Sequence, residues 1–181
     1  MSNHHDHSQM TPAALLVESL PLLPKGGRVL DVAMGKGRNA LYLAERGFQV
    51  EGVEIDAEAV RVCEEEARRR GVTVQATTAD LTRFQIPKET YDVIVCFYYL
   101  QRDLIPQMRE GLKPGGVIVY ETFLIDQHLK TGKPGRREFC FEQNELLHLF
   151  LQGFRVLNYR EGFVSEDRAS AALVARKMAG R

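Results

Sequence analysis

The sequence predicts a Rossmann-like α/β fold, a doubly wound and mostly parallel seven-stranded sheet with an antiparallel C-terminal strand pair. Short apolar segments alternate with helical patterns through about residue 120, which requires a parallel sheet covered by helices on both faces. A glycine-containing turn follows the first strand-like segment. Near the C-terminus two strand-like segments follow one another without a helix, and such a pair must run antiparallel at one edge.

Apolar periodicity, caps and breakers divide the chain into these elements. Thr11 is a candidate N-cap for the first helix, with Pro12 in its first turn. The predicted helices are 11–20, 39–46, 57–70, 103–112 and 142–151. The predicted strands are 28–33, 48–55, 72–80, 91–100, 117–123, 154–163 and 169–177. The Gly-, Pro- and Arg-containing segment 124–139 is too long for a simple connector, so we predict a loop that closes over substrate.

The length of 181 residues and the absence of a linker or repeat predict one domain over residues 11–181. The polar start "MSNHHDHSQM" predicts a disordered tail over residues 1–10, and its three histidines (His4, His5 and His7) lack a defined role.

Composition restricts the class of partner and the compartment. Lys+Arg and Asp+Glu both number 24, so the chain has no large positive field for nucleic acid. Three widely separated cysteines, without a CxxC pair, indicate reduced thiols and no metal site. No apolar run approaches the roughly 18 residues of a membrane span. We therefore expect a cytoplasmic protein that acts without a membrane.

The turn after the first strand resembles a nucleotide-binding glycine loop. Gly35, Gly37 and Ala40 match the G-x-G-x-x-G/A pattern, in which glycine lets the backbone approach a ligand closely. Glu54 ends the second strand, where its carboxylate can accept both hydroxyls of a ribose. This pattern alone leaves NAD and S-adenosylmethionine (SAM) both open.

Three further features favour SAM. Asp31 ends the first strand, where a carboxylate would repel a pyrophosphate but suits an amino-acid ammonium group. Asp80 ends the third strand, where it suits the adenine amino group; a simple turn cap is the alternative for both aspartates. A dehydrogenase would also need a substrate domain, for which no residues are left.

The segments "VLDVAMGKGRNALYLAERGFQVEGVEID", "ADL", "YDVIVCFYYL", "LKPGGVIVYETF" and "LVARK" resemble class I SAM-dependent methyltransferases, and more narrowly the tellurite-resistance (TehB-like) group. The resemblance implies that Arg38 and Asn39 face the methionine end of SAM and that Ile55 packs on the adenine. Met34 departs from the family, which usually has Cys or Gly there, and its side chain could narrow the pocket. The implied cofactor-binding set is Asp31, Ala33, Gly35, Gly37, Arg38, Asn39, Glu54, Ile55, Asp80, Leu81, Cys96 and Phe97.

Methyl transfer depends mainly on orientation, so no catalytic base is obligatory. Candidate acceptor-side residues are Tyr98, Arg102, Glu121 and His128. Arg102 could bind an anionic substrate or lie on the surface, and His128 could be a base or a plain loop residue. Because side chains alternate along a strand, Glu121 cannot face the same way as its neighbours Tyr120 and Thr122. Further anion-site candidates are Arg136, Arg137 and Arg160.

The sequence thus predicts a SAM-dependent methyltransferase with a small-molecule acceptor, such as a thiol or a chalcogen oxyanion like tellurite or selenite. The chain has "CFYY" after the fourth strand and not the "NPPY"-type tetrapeptide of many nucleobase and glutamine methyltransferases. The alternatives are a non-catalytic SAM-binding module and an NAD(P)-binding Rossmann protein.

Overall fold

The computed structural model describes residues 10–180 and contains one seven-stranded sheet. The strands are β1 (Arg28–Val32), β2 (Gln49–Glu54), β3 (Val74–Thr78), β4 (Tyr91–Phe97), β5 (Leu112–Phe123), β6 (Phe154–Ser165) and β7 (Arg168–Lys177). The α-helices are α1 (Ala14–Ser19), α2 (Arg38–Ala44), α3 (Ala57–Arg70), α4 (Ile105–Gly111), α5 (Ile125–Thr131) and α6 (Glu145–Leu151). Short 3-10 turns cover 20–22, 102–104 and 137–139. The predicted residues His4, His5 and His7 lie outside the described range.

The strand order is β3-β2-β1-β4-β5-β7-β6. Strands β1 to β5 pair in parallel, and β7 pairs antiparallel with both β5 and β6. The predicted fold class is therefore confirmed, including the antiparallel C-terminal pair. The order reverses between β1 and β4, so the carboxyl ends of these two strands form the topological switch point at which open α/β sheets bind ligands.

Two apolar clusters sandwich the sheet. One packs α1, α2 and α3 against the face that carries Val29, Val95 and Val119. The other packs α4 and α6 against the face that carries Leu30 and Ile94. Burial on both faces explains why the central strands read as continuous apolar segments.

Helix α3 has the predicted bounds because its caps are local. The side chain of Asp56 accepts the backbone N–H of Glu58 at 2.9 Å, and Gly71 ends the helix in the left-handed conformation with φ of 69°. Both devices are readable from sequence alone.

The first helix begins later than predicted, at Ala14, and without a side-chain cap from Thr11. The backbone N–H of Ala13 donates instead to Asn39 Oδ1 at 2.9 Å, across 26 residues of sequence. A long-range partner has replaced the local cap that the sequence predicts.

The predicted loop over 124–139 is partly wrong, because it contains α5. Ile125 and Gln127 are buried, and Gln127 Oε1 accepts the backbone N–H of Ala169 at 3.1 Å. Leu124 also bridges Phe141 in parallel. The first half of this segment is thus anchored to β7, and the Gly- and Pro-containing part is confined to 132–136. No helix within residues 10–180 is long and apolar enough to cross a membrane.

Candidate functional site

The carboxyl ends of β1, β2, β4 and β5 lie along one edge of the sheet, and the antiparallel β7 begins there. Two residues that leave these strands have left-handed backbones: Ala33 with φ of 55° and Tyr98 with φ of 56°. Positive φ is uncommon outside glycine, and such strain concentrates at ligand sites. The switch point therefore carries backbone distortion on both of its sides.

The two glycines of the loop after β1 have different roles. A Cβ on Gly35 would meet nothing within 4 Å, so this glycine borders open space where a ligand can approach the backbone. A Cβ on Gly37 would lie 2.2 Å from Cys63 Sγ in α3. Gly35 thus leaves room for a ligand, whereas Gly37 lets the loop pack against a helix.

The side chain of Met34 packs against the neighbouring strand β2. This side chain is buried, at 5% exposure, and covers Gly52 of β2, where a Cβ would lie 2.1 Å from Met34 Sδ. The Met34 side chain fits because Gly52 on the neighbouring strand has no side chain.

Asp31 is the most unusual charged group of the site. It is 2% exposed, and its Oδ2 atom has no hydrogen-bond partner. Burial raises the pKa of Asp31 to about 7, although the backbone of Ala40 and the positive charge of Arg38 oppose the shift. A buried carboxylate oxygen without a donor is costly, and a ligand ammonium group would satisfy it.

Glu54 ends β2 with its carboxylate wrapped by backbone amides. Its Oε2 accepts the N–H of Gly35 at 2.8 Å, and its Oε1 accepts those of Ile55 and Asp56 at 2.9 and 3.1 Å. These bonds hold the carboxylate beside the glycine loop. Because each carboxylate oxygen can accept two hydrogen bonds, capacity for a ribose hydroxyl remains. Ile55 is 66% exposed, an apolar surface beside this carboxylate.

Asp80 follows β3 and caps the next turn. Its Oδ1 accepts both the backbone N–H and the hydroxyl of Thr82, at 2.9 and 2.8 Å, and these bonds lower the pKa of Asp80. Oδ1 of Asp80 therefore acts as the cap of this turn, which is the alternative role that the sequence left open. Leu81 is buried, at 6% exposure.

Cys96 and Phe97 lie on opposite faces of β4. Phe97 belongs to the cluster with α1, α2 and α3, on the face of Asp31, whereas Cys96 belongs to the opposite cluster and is 0% exposed. The Cys96 thiol donates to the carbonyl of Tyr99 at 3.5 Å, and burial raises its pKa. Of the two, Phe97 has the position that fits a contact with ligand beside Asp31.

The Arg38–Asn39 pair fastens the start of the described chain over the loop. Asn39 is 4% exposed and accepts the N–H of Ala13, while Arg38 Nη1 donates to the carbonyl of Thr11 at 3.5 Å. Asn39 therefore positions α1, and the guanidinium of Arg38 lies within electrostatic reach of Asp31.

Among the residues predicted to contact the acceptor, Glu121 is 7% exposed and its Oε1 accepts the hydroxyl of Ser170 at 2.9 Å. Burial raises the pKa of Glu121, and the Ser170 bond and the charges of Arg160 and Arg38 oppose that shift. The Tyr98 ring packs against Phe123 with ring centroids 5.2 Å apart and planes inclined by 50°, and the buried Tyr98 hydroxyl has no partner.

Arg102 and His128 are engaged with the protein itself. Arg102 forms a bidentate ion pair with Glu145, at 2.6 and 2.9 Å, and donates to the carbonyls of Glu138 and Cys140. This favours a structural role that ties α6 to the preceding segment. His128 lies on α5 with Nδ1 2.7 Å from the carbonyl of Pro134, so Nδ1 carries the proton and donates.

Sequence reasoning missed Arg168, the first residue of β7. Its guanidinium carbon lies 4.7 Å from the centroid of the Tyr98 ring, and its Nε is buried without a partner. In the sequence it stands in a polar connection, "VSEDR", where nothing separates it from an exposed turn residue.

Within residues 10–180, four buried side-chain polar atoms are without a hydrogen-bond partner: Asp31 Oδ2, Tyr98 Oη, Thr122 Oγ1 and Arg168 Nε. All four belong to residues at one edge, where β1, β4 and β5 end and β7 begins. Folded proteins satisfy nearly all such atoms, so their concentration at the switch point indicates a ligand site.

A surface cleft of about 530 Å³ lies at the opposite edge, lined by residues at the starts of β1 and β2 such as Arg28 and Gln49. A second one, of about 350 Å³, lies between Met10, Lys36 and the outer side of α3. Neither includes the orphaned polar atoms. We assign the site from these atoms and the strand ends, because ligands of open α/β sheets bind at the carboxyl ends of strands.

The family model described as "Methyltransferase domain" matches residues 29–116. A ubiquinone biosynthesis O-methyltransferase of Burkholderia multivorans is 31% identical over 113 residues, which cover 59% of this chain and 47% of that protein. The probable S-adenosyl-L-methionine-dependent methyltransferase TehB of Haemophilus influenzae is 26% identical over 141 residues, which cover 74% of this chain and 48% of that protein. The chain thus spans about half the length of the curated relatives it matches.

The family match over residues 29–116 and the strand order together indicate a methyltransferase-type α/β domain. The crystal structure of TehB from Haemophilus influenzae has the same fold, with a TM-score of 0.80 at 22% identity over 96% of this chain and 65% of that chain.

Proposed function

We propose that this protein transfers a methyl group from SAM to a small-molecule acceptor. The observation that carries the proposal is the unpartnered Oδ2 of buried Asp31 at the end of β1, together with the open space at Gly35 in the loop that follows. A buried anionic acceptor suits the ammonium group of the methionine moiety, and no group of the described chain supplies that donor.

The residues of the first strand ends fit the rest of the cofactor. Glu54 has remaining acceptor capacity for the ribose, and Ile55 offers an exposed apolar surface to the adenine. Asp80 and Leu81 follow β3 on the adenine side. Phe97 and the backbone of Ala33 complete the set on the methionine side. When bound, SAM supplies an electrophilic methyl group on a sulfonium.

The protein's own contribution is to orient the acceptor and exclude water. Glu121 is the best-placed proton acceptor, because it is buried on the same face as Asp31 and its pKa is raised. A thiolate or a reduced chalcogen would need no base, whereas a hydroxyl acceptor would give up its proton to Glu121. His128 is a weaker candidate because its Nδ1 is already committed to Pro134.

The acceptor is a proposal at the level of its class. The names of the matched relatives specify different methyl acceptors. The Burkholderia protein, for example, is a ubiquinone biosynthesis O-methyltransferase. We favour a small molecule, a thiol or a chalcogen oxyanion such as tellurite or selenite included, over nucleic acid. The formal net charge of zero supports this, since phosphate-backbone binding depends on positive charge. Three free buried cysteines support a reducing, cytoplasmic compartment.

Two alternatives have different signatures. A non-catalytic SAM-binding module would bind SAM without turnover, and an NAD(P)-binding protein would place pyrophosphate beside Asp31. The buried carboxylate argues against the second, because like charges at short range in a low dielectric repel strongly.

The first test is calorimetric titration of the protein with SAM, S-adenosylhomocysteine, NAD and NADP. The proposal expects binding of the first two and none of the last two, and binding of NAD would overturn it. Methyl transfer is then measured on thiols, phenols, amines, tellurite and selenite. Tight SAM binding with no transfer to any of these would favour the non-catalytic module.

A further inference from the structure

Arg168 differs from the other acceptor-side arginines of the described chain because no acid pairs with it. The other four each pair with a carboxylate: Arg102 with Glu145 at 2.6 Å, Arg136 with Glu138 at 3.2 Å, Arg137 with Glu142 at 3.0 Å and Arg160 with Glu18 at 3.3 Å. Each of these four arginines, which the sequence made candidates for binding an anionic substrate, therefore already has a carboxylate partner. Within residues 10–180, the charge of Arg168 is left for a ligand.

The position of Arg168 is set by strand pairing. Strand β7 runs antiparallel to β5, with Ser170 opposite Phe123 and Ala172 opposite Glu121. Arg168 therefore begins β7 at the edge where β4 and β5 end. Side chains alternate along a strand, so Arg168 shares a face with Ser170 and with Ala172, which belongs to the cluster beneath α1 and α2.

The contacts of Arg168 within the described residues do not include an ion pair with a carboxylate. Its guanidinium lies over the Tyr98 ring at 4.7 Å, and the Glu121 carboxylate on the same face is engaged by Ser170. Burial lowers the pKa of Arg168, and the positive charge of Arg38 lowers it further. Holding a half-buried cation beside a second cation is unfavourable unless an anion joins them.

Arg38 also relates Arg168 to the cofactor side. Its charge acts on Asp31, at the end of β1, and on Arg168 and Glu121, at the start of β7 and near the end of β5. An anion held by Arg168 would therefore lie next to the methionine end of the cofactor. The tilted rings of Tyr98 and Phe123, with centroids 5.2 Å apart, provide an apolar surface at the same place.

We propose that Arg168 is the acceptor-binding residue of this site and holds an anionic group of the methyl acceptor, a carboxylate or an inorganic oxyanion. This rests on the proposed function and deepens it. The guanidinium fork offers two parallel donors to such a group, and the buried Tyr98 hydroxyl is available as a third. Arg168 acts by binding and orientation and takes no proton.

The test titrates the protein, saturated with S-adenosylhomocysteine, with benzoate, benzamide and selenite. Benzoate and benzamide share an aromatic body and differ in charge, and selenite has the charge without the body. The variants are Arg168→Gln, Arg168→Lys and Arg155→Gln. Arg155 is exposed near the other end of the hairpin, opposite Arg176, so its substitution removes the same charge away from the site.

The wild type and Arg155→Gln should bind benzoate or selenite at about millimolar affinity and should not bind benzamide. Arg168→Gln should lose roughly 10- to 100-fold in that affinity, the worth of a charge-assisted hydrogen bond, and Arg168→Lys should fall between. Preference for selenite indicates an inorganic oxyanion acceptor, and preference for benzoate an organic carboxylate.

Equal anion affinity in the wild type and Arg168→Gln, or no anion binding in either, would overturn the proposal. A matching loss of S-adenosylhomocysteine affinity in Arg168→Gln would also overturn it, because Arg168 would then hold the cofactor carboxylate. Failure of the wild type to bind S-adenosylhomocysteine at all would reject the proposed function itself. Thermal unfolding of Arg168→Gln distinguishes a loss of anion binding from a folding defect, because removing an arginine without an ion pair should leave Tm unchanged or raise it.

Discussion

The two halves of the sheet edge treat their polar groups differently. On the side of β1, β2 and β3, Glu54 is bound by three backbone amides and Asp80 by Thr82, so that Asp31 alone retains an orphaned atom. On the side of β4, β5 and β7, three buried polar atoms are unpartnered, on Tyr98, Thr122 and Arg168. Most polar groups of the first half thus have hydrogen-bond partners within the protein, whereas three buried polar atoms of the second half do not.

This difference indicates how each half was built. A cofactor of constant shape can be held by a loop whose own backbone positions the acids. An acceptor must be bound by side chains, which evolution can exchange without disturbing the core. Substitutions in the first half should therefore affect stability, SAM binding or both, whereas loss of an unpartnered polar group in the second half should have little effect on folding.

The largest effect is expected for Gly37→Ala. The added Cβ would lie 2.2 Å from Cys63 Sγ on a backbone with φ of 82°, so α2 and α3 must separate. We expect a loss of at least about 2 kcal/mol in the free energy of unfolding by urea titration. Gly35→Ala is the control: its φ is also positive, at 56°, but its Cβ meets nothing.

Gly35→Ala should cost only about 1 kcal/mol of stability but should weaken SAM binding strongly, because the Cβ enters the space left for the ligand. Equal stability losses for the two variants would contradict the division of roles within this loop.

Gly52→Ala tests the accommodation of Met34. The Cβ would lie 2.1 Å from Met34 Sδ, and overpacking of this kind costs about 1–3 kcal/mol. Because the clash is with the far end of a flexible side chain, combining it with Met34→Cys should recover part of the loss. A double-mutant cycle by chemical denaturation measures this coupling, and strictly additive losses would show that the two residues do not share the space.

Asp31→Asn should weaken SAM binding by roughly tenfold or more, since it removes the charge that the ammonium group needs. The folded pKa of Asp31, about 7, lies above its ordinary value of 3.8, so the folded apoprotein keeps a proton that the unfolded chain releases. Its contribution to stability is therefore present at low pH and is lost as pH rises toward 7.

Because the ammonium group requires the ionised carboxylate, SAM should bind about tenfold more tightly at pH 8 than at pH 6. Calorimetry at pH 6 in two buffers of different ionisation enthalpy should show release of a proton on binding. Asp31→Asn should abolish both effects, and a wild-type affinity that does not change with pH would argue against contact between Asp31 and the ammonium group.

The smallest effects belong to a pair of tyrosines in the acceptor half. Tyr98→Phe removes a buried hydroxyl without a partner and should leave the free energy of unfolding unchanged or higher. Tyr120→Phe removes a hydroxyl that donates to the Tyr99 carbonyl at 2.8 Å and should cost about 1 kcal/mol. The reverse order in a thermal-unfolding comparison would mean that the Tyr98 hydroxyl has a partner within the protein.

The elements that the sequence predicted best are those stabilised locally. Helix α3 has its predicted bounds because Asp56 and Gly71 are neighbours of the helix they cap. The strands were found from continuous apolar segments, and the acids at their ends, Asp31, Glu54 and Asp80, do meet one edge of the sheet. Parallel topology follows from strand-helix alternation, so it needs no knowledge of distant contacts.

Only the tertiary structure decided what each polar group touches. Asn39 accepts the backbone N–H of Ala13, which replaces a local cap, and Arg102 forms an ion pair with Glu145. Arg168 acquires its position because β7 pairs with β5. These contacts join residues far apart in the chain, and burial, which determines whether a charge is paired or left open, is a property of the packed sheet. The residue types were therefore readable from the sequence, but the division between satisfied and unsatisfied groups was not.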